Sequence, residues 1–142
     1  MPGLNLKLIT PERIVYEEPV ESVIARGTEG EFEVLPGHEP LVATLSIDVL
    51  RFKRGGEDHF AAVMGGVLEV KADEVTVLSD VAELDVEIDM SRAKQAKERA
   101  EAEKTTRVDK IDVYVSEMAI SKAITRLKAA ELRQRRRKHG GQ

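Results

Sequence analysis

The chain changes pattern within ten residues, Leu84-Asp85-Val86-Glu87-Ile88-Asp89-Met90-Ser91-Arg92-Ala93. From Leu84 to Ile88 apolar and acidic residues alternate, which is typical of a half-buried β-strand. Asp89 is a favourable helix N-cap, and strong helix formers run from Met90 to about Glu103. We therefore expect two domains, a β-domain over residues 1–88 and an α-helical domain over residues 89–142.

Turn-forming residues are concentrated before this boundary. All five prolines lie at or before Pro40, and residues 67–139 contain neither glycine nor proline. Short apolar runs separated by turn signals predict an antiparallel β-sandwich, or a flattened barrel, of about ten strands. A parallel α/β sheet is disfavoured because no helical pattern intervenes. The predicted strands cover residues 4–8, 13–18, 20–25, 32–35, 41–45, 49–53, 59–64, 67–71, 75–81 and 84–88.

The last fifty residues predict a two-helix hairpin. The first helix carries a stripe of small side chains at Ala93, Ala96 and Ala100, and the pattern breaks at residues 104–106. Asp109 or Asp112 can cap a second helix that reaches about Lys138. Its expected buried stripe is Val113, Ile120, Ala123, Ile124, Leu127 and Ala130. Because such stripes bury little apolar area, we expect the hairpin to be the labile part of the molecule.

Composition excludes several classes of protein. The 142 residues are 42% hydrophobic and 34% charged, which is typical of a globular domain. The absence of cysteine excludes a disulfide scaffold, a thiolate metal site and a cysteine nucleophile. His59 and His139 have no partner at ligand spacing, so we expect no metal site. Carboxylates such as Asp80 and Glu83 belong to no nucleophile–base set, so we expect no catalytic residues. No spanning segment or secretory signal is predicted.

Charge is distributed unevenly along the chain. Residues 1–90 hold 7 Lys/Arg and 19 Asp/Glu, a net charge of −12, whereas residues 91–142 hold 15 and 7, a net charge of +8. An acidic β-domain would repel nucleic acid, and aromatic residues for base stacking are scarce. A basic-tailed adaptor for another acidic partner, or for nucleic acid, nevertheless remains the alternative interpretation.

Several motifs are spaced over nearly the whole chain. They are Leu8-Ile9-Thr10-Pro11-Glu12, Gly30-Glu31, Leu35-Pro36-Gly37-His38-Glu39-Pro40-Leu41, Gly65-Gly66-Val67-Leu68-Glu69-Val70, Val75-Thr76-Val77-Leu78-Ser79-Asp80, Ile88-Asp89-x-x-Arg92-Ala93, Ala123-Ile124 and Arg126-Leu127. In this order and spacing they resemble the epsilon subunit of bacterial F-type ATP synthase. The family fold is a β-sandwich followed by a helical hairpin. Glu33 and Asp48 replace glycines that are usual in the family, and they could alter local turns.

The resemblance implies a non-catalytic rotor subunit on the cytoplasmic face of the bacterial membrane, bound peripherally and without insertion. Its sandwich would bind the gamma subunit and the ring of c-subunits. Its helices would extend toward the alpha and beta subunits and block ATP hydrolysis. Glu31 and His38, at the end of the sandwich that would meet the c-ring, are candidate contacts, although His38 could equally be a turn residue with its hydrogen bonds satisfied.

The resemblance also implies a regulatory ATP site, although no cofactor is required. The motif around Asp89 has a structural interpretation as a helix cap and a functional one as part of a nucleotide site. Arg92 and Arg99 share one helix face, and Lys122 and Arg126 share another, so four cations could converge on phosphate. ATP-binding members of the family commonly have arginine in place of Lys122. The candidate residues are Glu83, Ile88, Asp89, Arg92, Ala93, Arg99, Lys122 and Arg126, with Glu83 or Asp89 accepting from the adenine amino group.

The second helix ends in a basic segment. Its cations are Arg133, Arg135, Arg136, Arg137 and Lys138. Cations at a helix C-terminus complement the helix dipole, so the segment could be a solvated helix end. It also resembles the segment through which inhibitory epsilon hairpins contact acidic residues of the beta subunits.

Overall fold

The computed structural model describes residues 3–106 and 110–140. Within them eight strands precede two helices. The strands are β1 (Leu4–Ile9), β2 (Ile14–Val20), β3 (Ser22–Gly27), β4 (Gly30–Val34), β5 (Leu41–Arg54), β6 (Glu57–Lys71), β7 (Glu74–Leu78) and β8 (Ala82–Leu84), and the helices are α1 (Met90–Thr106) and α2 (Lys110–Gly140). The predicted β-sandwich followed by a helical hairpin is thereby confirmed.

The strands form one continuous sheet in the order β2-β1-β7-β6-β5-β3-β4, and β8 pairs with β6. All pairs are antiparallel except β1 and β7, which run parallel with Leu6 opposite Val75. An entirely antiparallel sandwich was therefore an incomplete prediction. Strands β2 to β6 lie between β1 and β7 in sequence, so this parallel pair joins distant parts of the chain.

The strand count is eight rather than ten because two pairs of predicted strands are continuous. Residues 41–45 and 49–53 both lie in β5, and residues 59–64 and 67–71 both lie in β6. Gly66 lies inside β6 with φ +118°, and a Cβ there would come within 2.0 Å of the Leu78 carbonyl oxygen. Gly66 therefore permits the close approach of β7 rather than ending a strand.

The predicted strand over residues 84–88 is wrong after Leu84. Asp85–Glu87 form a 3-10 helix, and the amide of Ile88 donates to the carbonyl oxygen of Asp85 over 3.3 Å. This local hydrogen bond replaces pairing with a neighbouring strand. Glu33 and Asp48 lie inside β4 and β5, so neither residue alters a turn.

The sandwich encloses one hydrophobic core to which every strand contributes. Its largest fully buried side chains include Phe52, Leu6, Leu50 and Leu68. The alternating burial of β1, in which Leu4, Leu6 and Leu8 point inward, agrees with the pattern read from the sequence. The core is therefore completed without the helices.

Asp89 caps α1, as predicted, because its Oδ1 accepts from the amide of Arg92 over 3.1 Å. Asp112 lies inside α2 rather than at its start, whereas Asp109 lies outside the described residues. The side chain of Val113 also lies outside what the structure describes. At about 1.5 Å per residue, α2 is nearly twice as long as α1.

The small residues Ala93, Ala100, Ala123 and Ala130 are buried, as the predicted stripes require. Ala96 and Ile124 are exposed, so including them in those stripes was wrong. Ala96 faces an open cleft described below. Ile124 lies between Ala123 and Thr125, which are both buried and about 200° apart around the helix. Because α2 contacts neighbours on two sides, Ile124 points between them.

A second apolar cluster seats α2 on the outside of the sheet. Phe60, Ala62 and Met64 of β6 pack with Ala129, which is 0% exposed, and Leu132 joins them. The alternate residues of β6 point into the sandwich core. The hairpin therefore rests on the surface of a completed sandwich, held by a small contact patch.

Candidate functional site

An open cleft of about 430 Å³ lies where the sandwich, the start of α1 and the middle of α2 meet. A volume of this size is typical of small-molecule sites. Its lining includes seven of the eight residues predicted for ATP binding. They are Glu83, Ile88, Asp89, Arg92, Ala93, Arg99 and Arg126.

Each acidic residue of the cleft already has a partner. Oε1 of Glu83 accepts from Nε of Arg126 over 2.8 Å, and Oε2 of Glu87 lies 2.5 Å from the guanidinium of Arg13. Asp89 caps the helix through the amide of Arg92. The acidic groups are therefore engaged in structural contacts.

The guanidinium groups of Arg92 and Arg99 are different. Both side chains are exposed in the cleft, two turns apart on α1. Neither forms an ion pair with any side chain that the structure describes. Two guanidinium groups without ion-pair partners among the described residues, one of them in the first turn of α1, favour a phosphate-bearing ligand.

Lys122 is the one predicted ATP-site residue that does not line the cleft. It lies one turn before Arg126 on α2, and its side chain is half-buried. The convergence of four cations inferred from helical spacing is thus a convergence of three arginines in this conformation.

Ion pairs tie α2 to the sheet outside the cleft. Nζ of Lys128 lies 3.1 Å from Oδ1 of Asp48, whose Oδ2 lies 2.9 Å from Nε of Arg26. Arg26 in turn lies 3.6 Å from Glu31. Asp48 is therefore a bridge between the helix and the sheet.

The basic segment is only partly free. Arg135 is exposed, whereas Arg133 is half-buried. The guanidinium of Arg136 is turned inward, where it donates to the carbonyl oxygen of Asp58 and lies 3.2 Å from Nδ1 of His59. The side chains of Arg137 and Lys138 lie outside what the structure describes.

The structure does not bring the two predicted c-ring contacts into one site. Glu31 lines an open cavity with residues 27–32 and 41–44, which does not include His38. His38 lies in a turn, where its amide donates to the carbonyl oxygen of Leu35 and its Nδ1 lies 2.6 Å from the carbonyl oxygen of Glu39. Leu35 in this turn and Val42 in the lining of the cavity both have exposed side chains.

Two classes of feature are absent from the part of the chain that the structure describes. No group of three or more His, Asp or Glu side chains is arranged to hold a metal. No helix among these residues has the length and apolar character needed to cross a membrane.

Sequence reasoning missed the contacts that seat the hairpin, namely Asp48, the outer face of β6 and Asp85. One signal was present. Residues 60–64 read Phe-Ala-Ala-Val-Met without a polar interruption, which is typical of a strand covered on both faces. No local pattern identified the partners of Lys128 and Arg136.

Comparison with known proteins identifies the family. Residues 3–85 match the model of the family described as "ATP synthase, Delta/Epsilon chain, beta-sandwich domain". Residues 87–131 match that of the family described as "ATP synthase, Delta/Epsilon chain, long alpha-helix domain". The ATP synthase epsilon chain of Desulforamulus reducens is 45% identical over 127 residues, covering 89% of this chain and 96% of its own. That of Bacillus licheniformis is 40% identical over 130 residues, covering 92% and 99%.

Solved structures agree. A chain in the OSCP/F1/c-ring structure of Euglena gracilis mitochondrial ATP synthase matches with a TM-score of 0.77 and 28% identity, over 92% of this chain and 82% of that one. A chain from the central stalk and c-ring of the Tetrahymena thermophila enzyme has a TM-score of 0.59 at 14% identity, covering 90% and 96%, and so supports the fold alone. Together these matches show that the chain belongs to the delta/epsilon chain family of ATP synthase, as a non-catalytic epsilon subunit of the central stalk.

Proposed function

We propose that this subunit senses ATP through the cleft and controls ATP hydrolysis through the position of its hairpin. Bound ATP holds the hairpin on the sandwich. When ATP is scarce, the hairpin leaves the sandwich, extends toward the alpha and beta subunits, and blocks hydrolysis with its basic segment.

The observation that carries this proposal is the pair of guanidinium groups of Arg92 and Arg99, which form no ion pair within the described part of the chain and face a cleft shared by the sandwich and both helices. A ligand bound there bridges elements that would separate on opening. Because it binds only the closed form, it stabilises that form by mass action.

We further propose that the end of the sandwich carrying Glu31, Val42 and His38 contacts the c-ring, and that the sandwich also binds the gamma subunit. Exposed apolar residues beside a charged loop suit a protein partner. The related Euglena structure contains an F1/c-ring assembly, which supports this placement. The subunit would then be peripheral, on the cytoplasmic face of the bacterial membrane.

Calorimetric titration of ATP into the full chain tests the cleft. Arg92→Ala should weaken binding about tenfold, because it removes one charge-assisted contact with phosphate. Lys94→Ala is the matched control, since Lys94 is an exposed cation on α1 that does not line the cleft. Absence of binding to the unmodified chain, or equal loss in both variants, would contradict the proposal.

A further inference from the structure

Arg136 of α2 makes three contacts with the sandwich side of the molecule. Its Nη1 donates to the carbonyl oxygen of Asp58, lies 3.2 Å from Nδ1 of His59, and lies 3.9 Å from Oδ2 of Asp85. Because an arginine can only donate, the His59 nitrogen must be the acceptor. This one side chain therefore joins the end of α2 to β6 and to the 3-10 helix.

Asp85 depends on this contact. Its side chain is only 4% exposed, and its Oδ2 has no hydrogen-bond partner among the described residues. A buried carboxylate without compensating charge is unfavourable. Arg136, itself 22% exposed, is the cation within ion-pair distance of it in the described part of the chain.

In the sequence, Asp85 also lies between residues that line the cleft. Glu83 precedes it by two positions, and Glu87, Ile88 and Asp89 follow it within four. The 3-10 helix that holds Asp85 thus carries one wall of the cleft. Arg136 contacts this wall from outside, without lining the cleft itself.

We infer that Arg136 and Asp85 form a latch that keeps the hairpin closed and positions the cleft wall. This inference rests on the proposed function, since the same arginine belongs to the segment proposed to contact the beta subunits. Closing the latch removes Arg136 from that segment, whereas opening the hairpin releases it. One cation is thus shared between a closed-state contact and a contact with an acidic partner, and only one can form at a time.

Amide hydrogen exchange of α2 in the full chain, without nucleotide, tests the latch directly. Arg136→Ala and Asp85→Asn should each raise the opening rate of the segment around Ala129 roughly tenfold. The double variant should exchange no faster than Arg136→Ala alone, because that variant has already lost the ion pair with Asp85. Arg135→Ala, at an exposed cation one position away, should exchange like the unmodified chain.

A second measurement, the inhibition of ATP hydrolysis in the assembled complex, distinguishes loss of the latch from a general loosening of the hairpin. Asp85→Asn keeps every cation of the basic segment, so it should strengthen inhibition at limiting ATP. Arg136→Ala also frees the hairpin but removes one contact with the partner, so its inhibition should be weaker than that of Asp85→Asn.

Additive exchange effects, or equal exchange of the Arg136→Ala and Arg135→Ala variants, would overturn the latch. If the exchange results hold but the unmodified chain binds no ATP, the proposed nucleotide sensing fails and the latch stands. If ATP binds but Arg136→Ala and Asp85→Asn leave both exchange and inhibition unchanged, the latch alone fails.

Discussion

Nε of Arg126 donates to Oε1 of Glu83 over 2.8 Å, and this bond joins α2 directly to β8 at the edge of the cleft. Both side chains are about three-quarters buried, so solvent screens the pair less than it would a surface ion pair. A nucleotide bound beside it would meet a guanidinium that is already oriented. The same pair contributes to docking α2 on the sandwich.

We predict that Glu83→Gln loosens the hairpin by about 1 kcal/mol, because the charge-assisted bond to Arg126 becomes a neutral one. Amide exchange of α2 in the absence of nucleotide measures the change. Glu87→Gln is the control, since Glu87 pairs with Arg13 of the sandwich rather than with α2. Equal acceleration in both variants would show that Glu83 has no special role in docking.

Ala129→Leu should disturb the seat of α2. Ala129 is fully buried against Phe60, Ala62 and Met64, so a larger side chain must push the helix away from the sheet. We expect a cost of about 1–3 kcal/mol to closure, seen as faster exchange in α2 while the sandwich strands keep their protection. Ala119→Leu, at an exposed position of the same helix, should change neither.

Gly66→Ala should destabilise the sandwich itself by about 3 kcal/mol or more, because a Cβ would meet the Leu78 carbonyl oxygen and the backbone is in a region that favours glycine. Gly55→Ala is the comparison, since Gly55 also has a positive φ but faces open space. We expect the latter to cost about 1 kcal/mol. Denaturant unfolding followed by circular dichroism measures both, and similar losses would contradict the role given to Gly66.

Ionisation of Tyr16 should make the free energy of unfolding depend on pH. Its ring lies 4.6 Å from that of Phe52, and burial raises the pKa of its hydroxyl, against the opposing effect of nearby Arg54. Folding therefore favours the neutral phenol. The contribution to stability is complete below pH of about 10, the ordinary pKa of tyrosine, and is lost as the pH rises through the raised value.

Denaturant unfolding from about pH 8 to about pH 11, a range that includes the ordinary tyrosine pKa of about 10, measures this effect. The unmodified chain should lose stability more steeply than Tyr16→Phe, whose ring cannot ionise. All other ionisable groups are common to both chains, so their contributions cancel in the comparison. Parallel curves would show that ionisation of Tyr16 makes no difference to folding.

Local chemistry predicted the boundary at Asp89, because a cap and its helix depend on residues close together in sequence. The same is true of the alternation in β1. Gly65 and Gly66 were misread as a strand end, since the continuity of β6 depends on its pairing with β5, where Leu45 lies opposite Gly66 and Ile47 opposite Met64. The residues next to Gly65 and Gly66 show no sequence pattern from which this pairing with β5 could be inferred.

The candidate site was predictable to the extent that helical spacing decides it. Arg92 and Arg99 share a face because they are seven residues apart, and the structure places both in the cleft. Lys122 was assigned by the same argument but lies outside the cleft lining, because the rotation of α2 is set by its contacts with two neighbours. The partners of Arg136 are more than fifty residues away in sequence and could not be inferred from spacing.

Every group on which the hairpin rests precedes the hairpin in the chain. Asp48, the outer face of β6, Glu83 and Asp85 all lie before α1 begins at Met90. During synthesis from the N-terminus, the platform can thus be finished before the first helical residue leaves the ribosome. The helices then dock on a surface that is already formed, so docking of the hairpin should not delay folding of the sandwich.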